Sequence, residues 1–254
     1  MATGLNIKGR VALVTGANRG IGLALVEALQ ERGASRIYAA TRKPEALAGL
    51  SSLSRGVVVP LRLDITDATE VRQAAQQAHD VDLLINNAAM VGHTPFAAFE
   101  DPAWLDAASR EYETNVVGSL RVSQAFAPVL ARQGGGTLVN ISSVAGLVGM
   151  SGLPTYSASK AALHSLTQSS REALQGQGTW VVGVYPGPVD TDMARDFTFP
   201  KVSPSSVANA ILDGLEQGLE DIYPDPVARE YGEAYAVNPK SLEGRLAAAN
   251  AAMD

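Results

Sequence analysis

The amino-acid sequence predicts an α/β fold: a doubly wound, mostly parallel seven-stranded sheet with helices on both faces. Three observations predict it. Short β-branched apolar runs alternate with longer stretches of helical spacing down the chain, the pattern of βαβ units. Runs such as Val57-Val58-Val59 and Leu83-Leu84-Ile85 lack polar alternation, which suits strands covered on both faces. The length of 254 residues lies within reach of one large α/β domain, so a single domain over 1–254 is expected.

In chain order, strands are expected at Val11–Thr15, Arg36–Thr41, Val57–Leu63, Leu83–Asn86, Gly136–Ile141, Trp180–Tyr185 and, more weakly patterned, Asp221–Tyr223. Between them the 3.6-residue spacing places helices at about 20–32, 67–79, 103–132, 156–176 and 204–217. The third of these contains Gly118 and Pro128, so a bend is expected while its apolar stripe continues. Asp67 is the natural cap of the second helix, with Asp64 an alternative. No linker, charge block or low-complexity tract interrupts the pattern. From Pro224 the composition shifts to three prolines, two tyrosines and a helix-prone run over Leu242–Met253. This atypical tail, about 224–254, is not placed by the pattern.

Composition removes several classes of function. With no cysteine there is no disulfide, thiolate nucleophile or thiolate-held metal. His79, His93 and His164 lie too far apart in sequence to form a zinc motif. A net charge of −6 argues against nucleic acid or an anionic membrane as partner. No run approaches about 20 apolar residues, and the start has no signal-like apolar core. A cytoplasmic protein acting on a small molecule is expected.

The chemistry-bearing residues follow the strands. After the first comes Thr15-Gly16-Ala17-Asn18-Arg19-Gly20-Ile21-Gly22, a glycine-rich turn feeding a helix N-terminus. Such a junction offers unpaired backbone N–H groups and a positive dipole end to a pyrophosphate, and glycine lets the backbone approach closely. A tight turn without a ligand is the alternative. At the end of the second strand an acidic residue would hold the 2′-hydroxyl of NAD, and a basic one a 2′-phosphate. Here stand Thr41, Arg42 and Lys43. Arg42 and Arg19 are therefore expected to clamp a phosphate, with Thr41 donating its hydroxyl, which selects NADP(H). The other reading leaves both arginines as solvated surface charges. Asp64 and Ile65, after the third strand, are placed at the adenine edge. The amide and small residues Asn86-Asn87-Ala88-Ala89 leave room for a ribose. Tyr156 and Lys160 are i and i+4, on one helix face. By itself such a pair is ordinarily solvated. Beside a dinucleotide, the Lys160 ammonium, a bound cationic nicotinamide and a low-dielectric pocket are together expected to draw the phenol from its usual value of about 10 toward neutrality, making it a proton donor for a carbonyl.

With these residues in place, the chain resembles the short-chain dehydrogenase/reductase family from Lys8 to about Tyr223. The matching motifs are T-G-x-x-x-G-x-G at Thr15–Gly22, N-N-A-x at Asn86–Ala89, N-V-x-G at Asn115–Gly118, Ser143, Y-x-x-x-K at Tyr156–Lys160, and P-G at Pro186-Gly187. The resemblance implies a Rossmann-type domain and a catalytic set of Asn115, Ser143, Tyr156 and Lys160. Ser143 would orient the substrate oxygen, Tyr156 act as general acid or base, and Lys160 hold the nicotinamide ribose. Asn115 would hold a relay water, and the Pro186-Gly187-Pro188-Val189-Asp190-Thr191 segment fix the carboxamide through Val189 and Thr191. It also implies a homodimer or homotetramer. Two departures stand out: Ala89 replaces a usual glycine, and the family's C-terminal close is missing, which bears on tetramer geometry.

Substrate contacts are expected from loops at the strand ends, Val91–Phe99, Val144–Leu153 and a substrate loop about 190–203. They supply His93, Met150, Leu153, Met193, Phe197 and Phe199, a mostly apolar set suited to a hydrophobic ketone or alcohol. The expected activity is NADP(H)-linked carbonyl reduction or alcohol oxidation. An NAD-linked dehydrogenase, a family member doing epimerisation or dehydration, and a non-catalytic nucleotide sensor are the alternatives.

Overall fold

In chain order, β1 (Val11–Thr15) leads through the glycine turn into α1 (Gly20–Glu31), followed by β2 (Arg36–Thr41) and β3 (Val58–Arg62). Then come α2 (Ala68–Gln77), β4 (Leu83–Asn86), α3 (Ala103–Tyr112), a π-helical turn over Glu113–Gly118 and α4 (Ser119–Arg132). The second half comprises β5 (Thr137–Ile141), α5 (Pro154–Gln175), β6 (Trp180–Val184), α6 (Pro204–Glu216), β7 (Asp221–Ile222) and α7 (Pro226–Val237). The structure, a computed structural model, describes residues 4–47, 49, 56–92, 100, 103–195 and 200–244. His93, Phe197, Phe199 and most of the helix-prone run at the C-terminus lie outside the described residues.

The strands form one sheet in the order β3-β2-β1-β4-β5-β6-β7, and every pairing is parallel. The order reverses between β1 and β4, so the crevice outside their carboxyl ends is the natural ligand site of such a sheet. Side chains alternate across the strands. Val14, Ile85 and Val139 pack with Leu25, Leu29, Ile211 and Leu215 on the α1/α6 face. Leu13, Leu84 and Leu138 pack with Val122, Phe126 and Leu130 on the α2/α4 face. Both layers are apolar, which is why the strands read as unbroken hydrophobic runs.

Helix starts follow capping chemistry. Asp67 Oδ1 accepts from Thr69 N at 2.7 Å and Glu70 N at 3.1 Å, so Asp67 caps α2. Asp64 instead accepts from Thr66 N and Oγ1 at 2.9 and 2.7 Å. Ser203 caps α6 and Asp225 caps α7, each with proline at the first helical position. The expected bend over 103–132 is the π-helical turn, which ends at Gly118; a Cβ there would lie 2.8 Å from Ile65 Cγ1. Pro128 sits inside α4. The tail is more ordered than its composition suggests. It forms α7 and a further helical stretch over 239–244, and Ala234 and Leu242 pack with Val148.

Candidate active site

The glycine turn is built by close approach. Gly16 and Gly20 have φ of +66° and +56°, a left-handed backbone that glycine adopts without strain. A Cβ at Gly22 would lie 2.3 Å from Gly16 O, so α1 starts against the turn only because no side chain intervenes. Thr15 Oγ1 accepts from the backbone N–H groups of Asn87 and Ala88 at 2.9 and 3.0 Å. The Asn87 amide donates to Thr15 O at 2.9 Å and Gly16 O at 3.3 Å. Asn87 thus fastens the turn to the end of β4. Asn86 is directed inward, donating to Asn140 Oδ1 at 3.0 Å and Ser123 Oγ at 2.8 Å, so it serves the sheet rather than a ribose. Asn18 is exposed and Ile21 half-buried at the turn.

The arginine clamp expected at the end of β2 is not formed. Arg19 Nη1 donates instead to Asp192 Oδ2 at 2.9 Å, across the crevice, and Arg195 pairs with the same carboxylate. Two exposed guanidinium groups thus share one carboxylate. Arg42 and Lys43 are both exposed at the end of β2. Thr41 is buried, and its hydroxyl accepts from Lys43 N at 3.3 Å, which leaves its own proton to be donated. Ile65 packs into the core, and its carbonyl accepts from Arg121 at 2.9 Å. At Asp64, burial alone would raise the carboxyl, but two hydrogen bonds from Thr66 and the nearby Arg42 and Arg62 hold it below the usual range.

Beyond the switch point, α5 carries Tyr156 and Lys160 toward the end of β5. The ordinary solvated pair is ruled out here, because Lys160 is 2% exposed. Its Nζ donates to Ile141 O at 2.9 Å and lies 5.6 Å from the centroid of the Tyr156 ring. Burial drives the two groups apart from the expected arrangement. It lowers Lys160 to about 8 and pushes the half-buried Tyr156 up to about 12, with the Ser143 hydroxyl working the other way. A low-dielectric pocket penalises a phenolate as much as an ammonium, so the pocket expected to acidify Tyr156 keeps it a phenol. Ser143 Oγ also donates to Pro186 O at 3.3 Å and accepts from Ala145 N at 3.1 Å.

Asn115, fully buried in the π-helical turn, fixes the loop after β4. Its Oδ1 accepts from Met90 N at 2.8 Å, and its Nδ2 donates to Met90 O at 2.9 Å and Ser159 Oγ at 3.0 Å. One turn earlier stands Glu111, also fully buried. Its Oε1 accepts from Gly92 N at 2.8 Å, while Oε2 has no hydrogen-bond partner. Sequence reading passed over Glu111. The available signal was its spacing, four residues before Asn115, on the same helical face.

Pro186 and Gly187 close the site from β6. Gly187 N donates to Asp225 Oδ2 at 2.7 Å, and Asp225 Oδ1 accepts from Ala228 N at 2.9 Å. Asp225 is buried and was likewise missed; Asp-Pro before a helical run was its signal. Val189 is buried and bridges to Val202. Thr191 packs over Gly20, where a Cβ would come within 3.1 Å of Thr191 Cγ2. Met150, Leu153 and Met193 are each half-buried in the loops flanking this end of the sheet.

Residues 10–200 match the family model described as short chain dehydrogenase. A curated 3-oxoacyl-acyl-carrier-protein reductase of Vibrio harveyi is 33% identical over 195 residues, 75% of this chain and 78% of the relative. An oxidoreductase of Botryotinia fuckeliana is 34% identical over 86% of this chain and 82% of its own. Among solved structures, a short chain dehydrogenase from Burkholderia cenocepacia in complex with NADP is 38% identical, with a TM-score of 0.88 over 95% of this chain and 99% of that one. A neighbour from Burkholderia phymatum in complex with NAD, 24% identical with a TM-score of 0.78, shares the fold.

Proposed function

Because this chain belongs to the short-chain dehydrogenase family, whose fold carries NAD(P)-dependent oxidoreduction, we propose that it is an NADP(H)-dependent reductase of hydrophobic ketones or aldehydes, also able to run in reverse. The observation that carries this reading is the Lys160–Tyr156 pair, buried beside Ser143 at the carboxyl end of β5.

The residues present fit a dinucleotide. The turn at Gly16, Gly20 and Gly22 leaves a cradle that a Cβ would fill, and it opens a helix N-terminus suited to a pyrophosphate. Gly16, Asn18, Arg19, Gly20, Ile21 and Gly22 would hold that end. Asp64 and the Ile65 backbone would meet the adenine, and Ala88 the ribose side of the crevice. Lys160, Pro186, Gly187, Val189 and Thr191 would hold the other end. When bound, the nicotinamide exchanges a hydride with the carbonyl carbon. Ser143 orients the carbonyl oxygen, and the Tyr156 phenol gives that oxygen its proton. Asn115 holds the loop after β4 and would hold a water that relays protons between Tyr156 and solvent, while Ser159, which accepts from Asn115 Nδ2 at 3.0 Å, donates to the Tyr156 backbone carbonyl at 2.8 Å and so ties Asn115 to the helix of Tyr156. Met150, Leu153 and Met193 would line the substrate pocket. Leu105 and Tyr112, two turns apart on one face of α3, are both exposed, which supports assembly as a homodimer or homotetramer.

Arg42 is proposed to meet the 2′-phosphate, with Arg19 joining it when released from Asp192. Replacing Arg42 with Ala should weaken NADPH by about 10- to 100-fold and leave NADH nearly unchanged, since a hydrogen bond to a charged group contributes about 1.5–3 kcal/mol. The assay is kcat/KM for both cofactors with a panel of aromatic ketones, at one low ionic strength. A wild type that prefers NADH would move the protein to the NAD-linked reading, for which the engagement of Arg19 with Asp192 is the favouring observation.

A further inference from the structure

Glu111 has no role in the reaction as described, yet it is placed among the groups that perform it. It is fully buried on α3, one helical turn before Asn115. Helix α3 packs against α5, the helix of Tyr156 and Lys160. One carboxylate oxygen is committed to Gly92 N, so it anchors the same loop that Asn115 grips at Met90. The other oxygen is buried without a hydrogen-bond partner. Leaving a buried carboxylate oxygen unpaired costs free energy, and the compensation nearest in kind is the buried ammonium of Lys160.

We propose that Glu111 is a positioning residue of this site, using one oxygen to hold the loop after β4 and the charge of the other to keep Lys160 an ammonium and Tyr156 a phenol. The inference rests on the reductase reading above and deepens it: the site is biased toward donating a proton, hence toward reduction of the carbonyl.

The charge arithmetic around the pair is short. From the β5 side Tyr156 meets the Ser143 hydroxyl, and Lys160 meets the Ile141 carbonyl. Ser159, a neutral hydroxyl, separates the pair from Asn115. The charged group acting on both from α3 is Glu111, which opposes ionisation of the phenol and supports the ammonium. A negative charge raises both affinities for protons. At neutral pH the phenol is then the populated form, which is the form that reduction consumes and oxidation must first deprotonate. Burial of Lys160 works toward the neutral amine, and Glu111 offsets part of that.

The test is Glu111→Gln, which preserves the acceptor for Gly92 N and removes the charge. Protein carrying lysine labelled with carbon-13 at Cε is titrated by NMR, free and with NADP⁺, and the Lys160 resonance is identified by its absence in Lys160→Arg. The Lys160 midpoint should fall by about one pH unit in Glu111→Gln, the size expected for a nearby opposite charge, while Glu111→Asp retains a midpoint near wild type. In parallel, kcat for oxidation of 1-phenylethanol should gain its alkaline limb at lower pH in Glu111→Gln, with the KM for NADP⁺ unchanged. Superimposable Lys160 titrations in wild type and Glu111→Gln would overturn the proposal. A wild type that turns over no alcohol or ketone would overturn the reductase reading instead, and the NMR titration decides the role of Glu111 in either case. Should Glu111→Gln melt far below wild type, the titration of Glu111→Asp against Glu111→Ala, both read by the same resonance, decides between charge and packing.

Discussion

The two sides of the crevice are held together by different means. On the β1–β4 side the fixing elements are backbone: Gly16 and Gly20 at positive φ, Gly22 against Gly16 O, and Thr15 and Asn87 fastening neighbouring strand ends. On the β5–β7 side they are side chains from distant parts of the chain. Asp225 holds Gly187. The Tyr185 hydroxyl lies 2.7 Å from His164 Nδ1 and donates to Asp221 at 3.2 Å. Arg171 pairs with that Asp221 at 2.7 Å, and the Tyr185 ring stacks on Tyr223 with centroids 5.4 Å apart. The comparison separates two tasks. A backbone cradle tolerates almost no substitution and binds a ligand common to many enzymes, whereas a side-chain frame can be rebuilt to suit another substrate.

The largest effect that sharpens this division is expected at Tyr156. Tyr156→Phe should lower turnover by about 10²- to 10⁴-fold, the usual range for a general acid, while fluorescence titration gives an unchanged Kd for NADPH. A mutant retaining more than half the wild-type rate would remove Tyr156 from the acid role. On the other side, Gly22→Ala should destabilise the protein by about 1–3 kcal/mol through overpacking and weaken NADPH, both readable by thermal melting with and without cofactor. Equal melting shifts in the two conditions would show that the turn does not serve the ligand.

Asp225→Ala removes two hydrogen bonds of a buried carboxylate and should cost about 1–3 kcal/mol. Urea unfolding measures that loss. With Gly187 at the nicotinamide end as proposed, kcat should fall more than affinity for NADPH; a pure loss of affinity would contradict the division. The smallest effect is a pH dependence. Burial lowers the His164 pKa, with Asp221 opposing and Arg171 assisting. The folded state therefore disfavours the protonated ring. Its contribution to stability is complete above the unfolded value of about 6.5 and is lost as pH falls toward the depressed folded value. Melting temperature should drop between pH 7.5 and pH 5, and His164→Gln should flatten that slope.

The same division explains what the sequence makes legible. The strand bounds read from sequence lie within a residue or two of those observed, since β1, β4, β5 and β6 are almost wholly buried and their runs nearly unbroken. The glycine turn is a short motif set by local backbone and stands out without a structure, whereas Tyr156 and Lys160 gain meaning only beside it and Ser143 only through the family resemblance. Helix α7 did not, because the residues it buries are Ala228, Gly232 and Ala234, too small to make an apolar stripe. Gly232 is small for a reason visible only in three dimensions, since a Cβ there would strike the Tyr223 ring at 2.6 Å. The surroundings of Arg19 were hidden for a comparable reason. Arg19 and Arg42 are near in motif, but the partner that captures Arg19, Asp192, lies 173 residues away in sequence.

The contact between Asp225 and Gly187 also sets an order of events when the chain is made. Synthesis proceeds from the N-terminus, and structure forms as segments become available. The glycine turn and the strands that hold it are complete early. The carboxylate that fixes the turn after β6 is made 38 residues after the glycine it holds, behind every motif residue of the site. A ribosome-bound chain halted between the two carries Tyr156, Lys160 and the whole cradle, yet has its nicotinamide end unfastened. Fastening of this half of the crevice waits on the residue that opens α7.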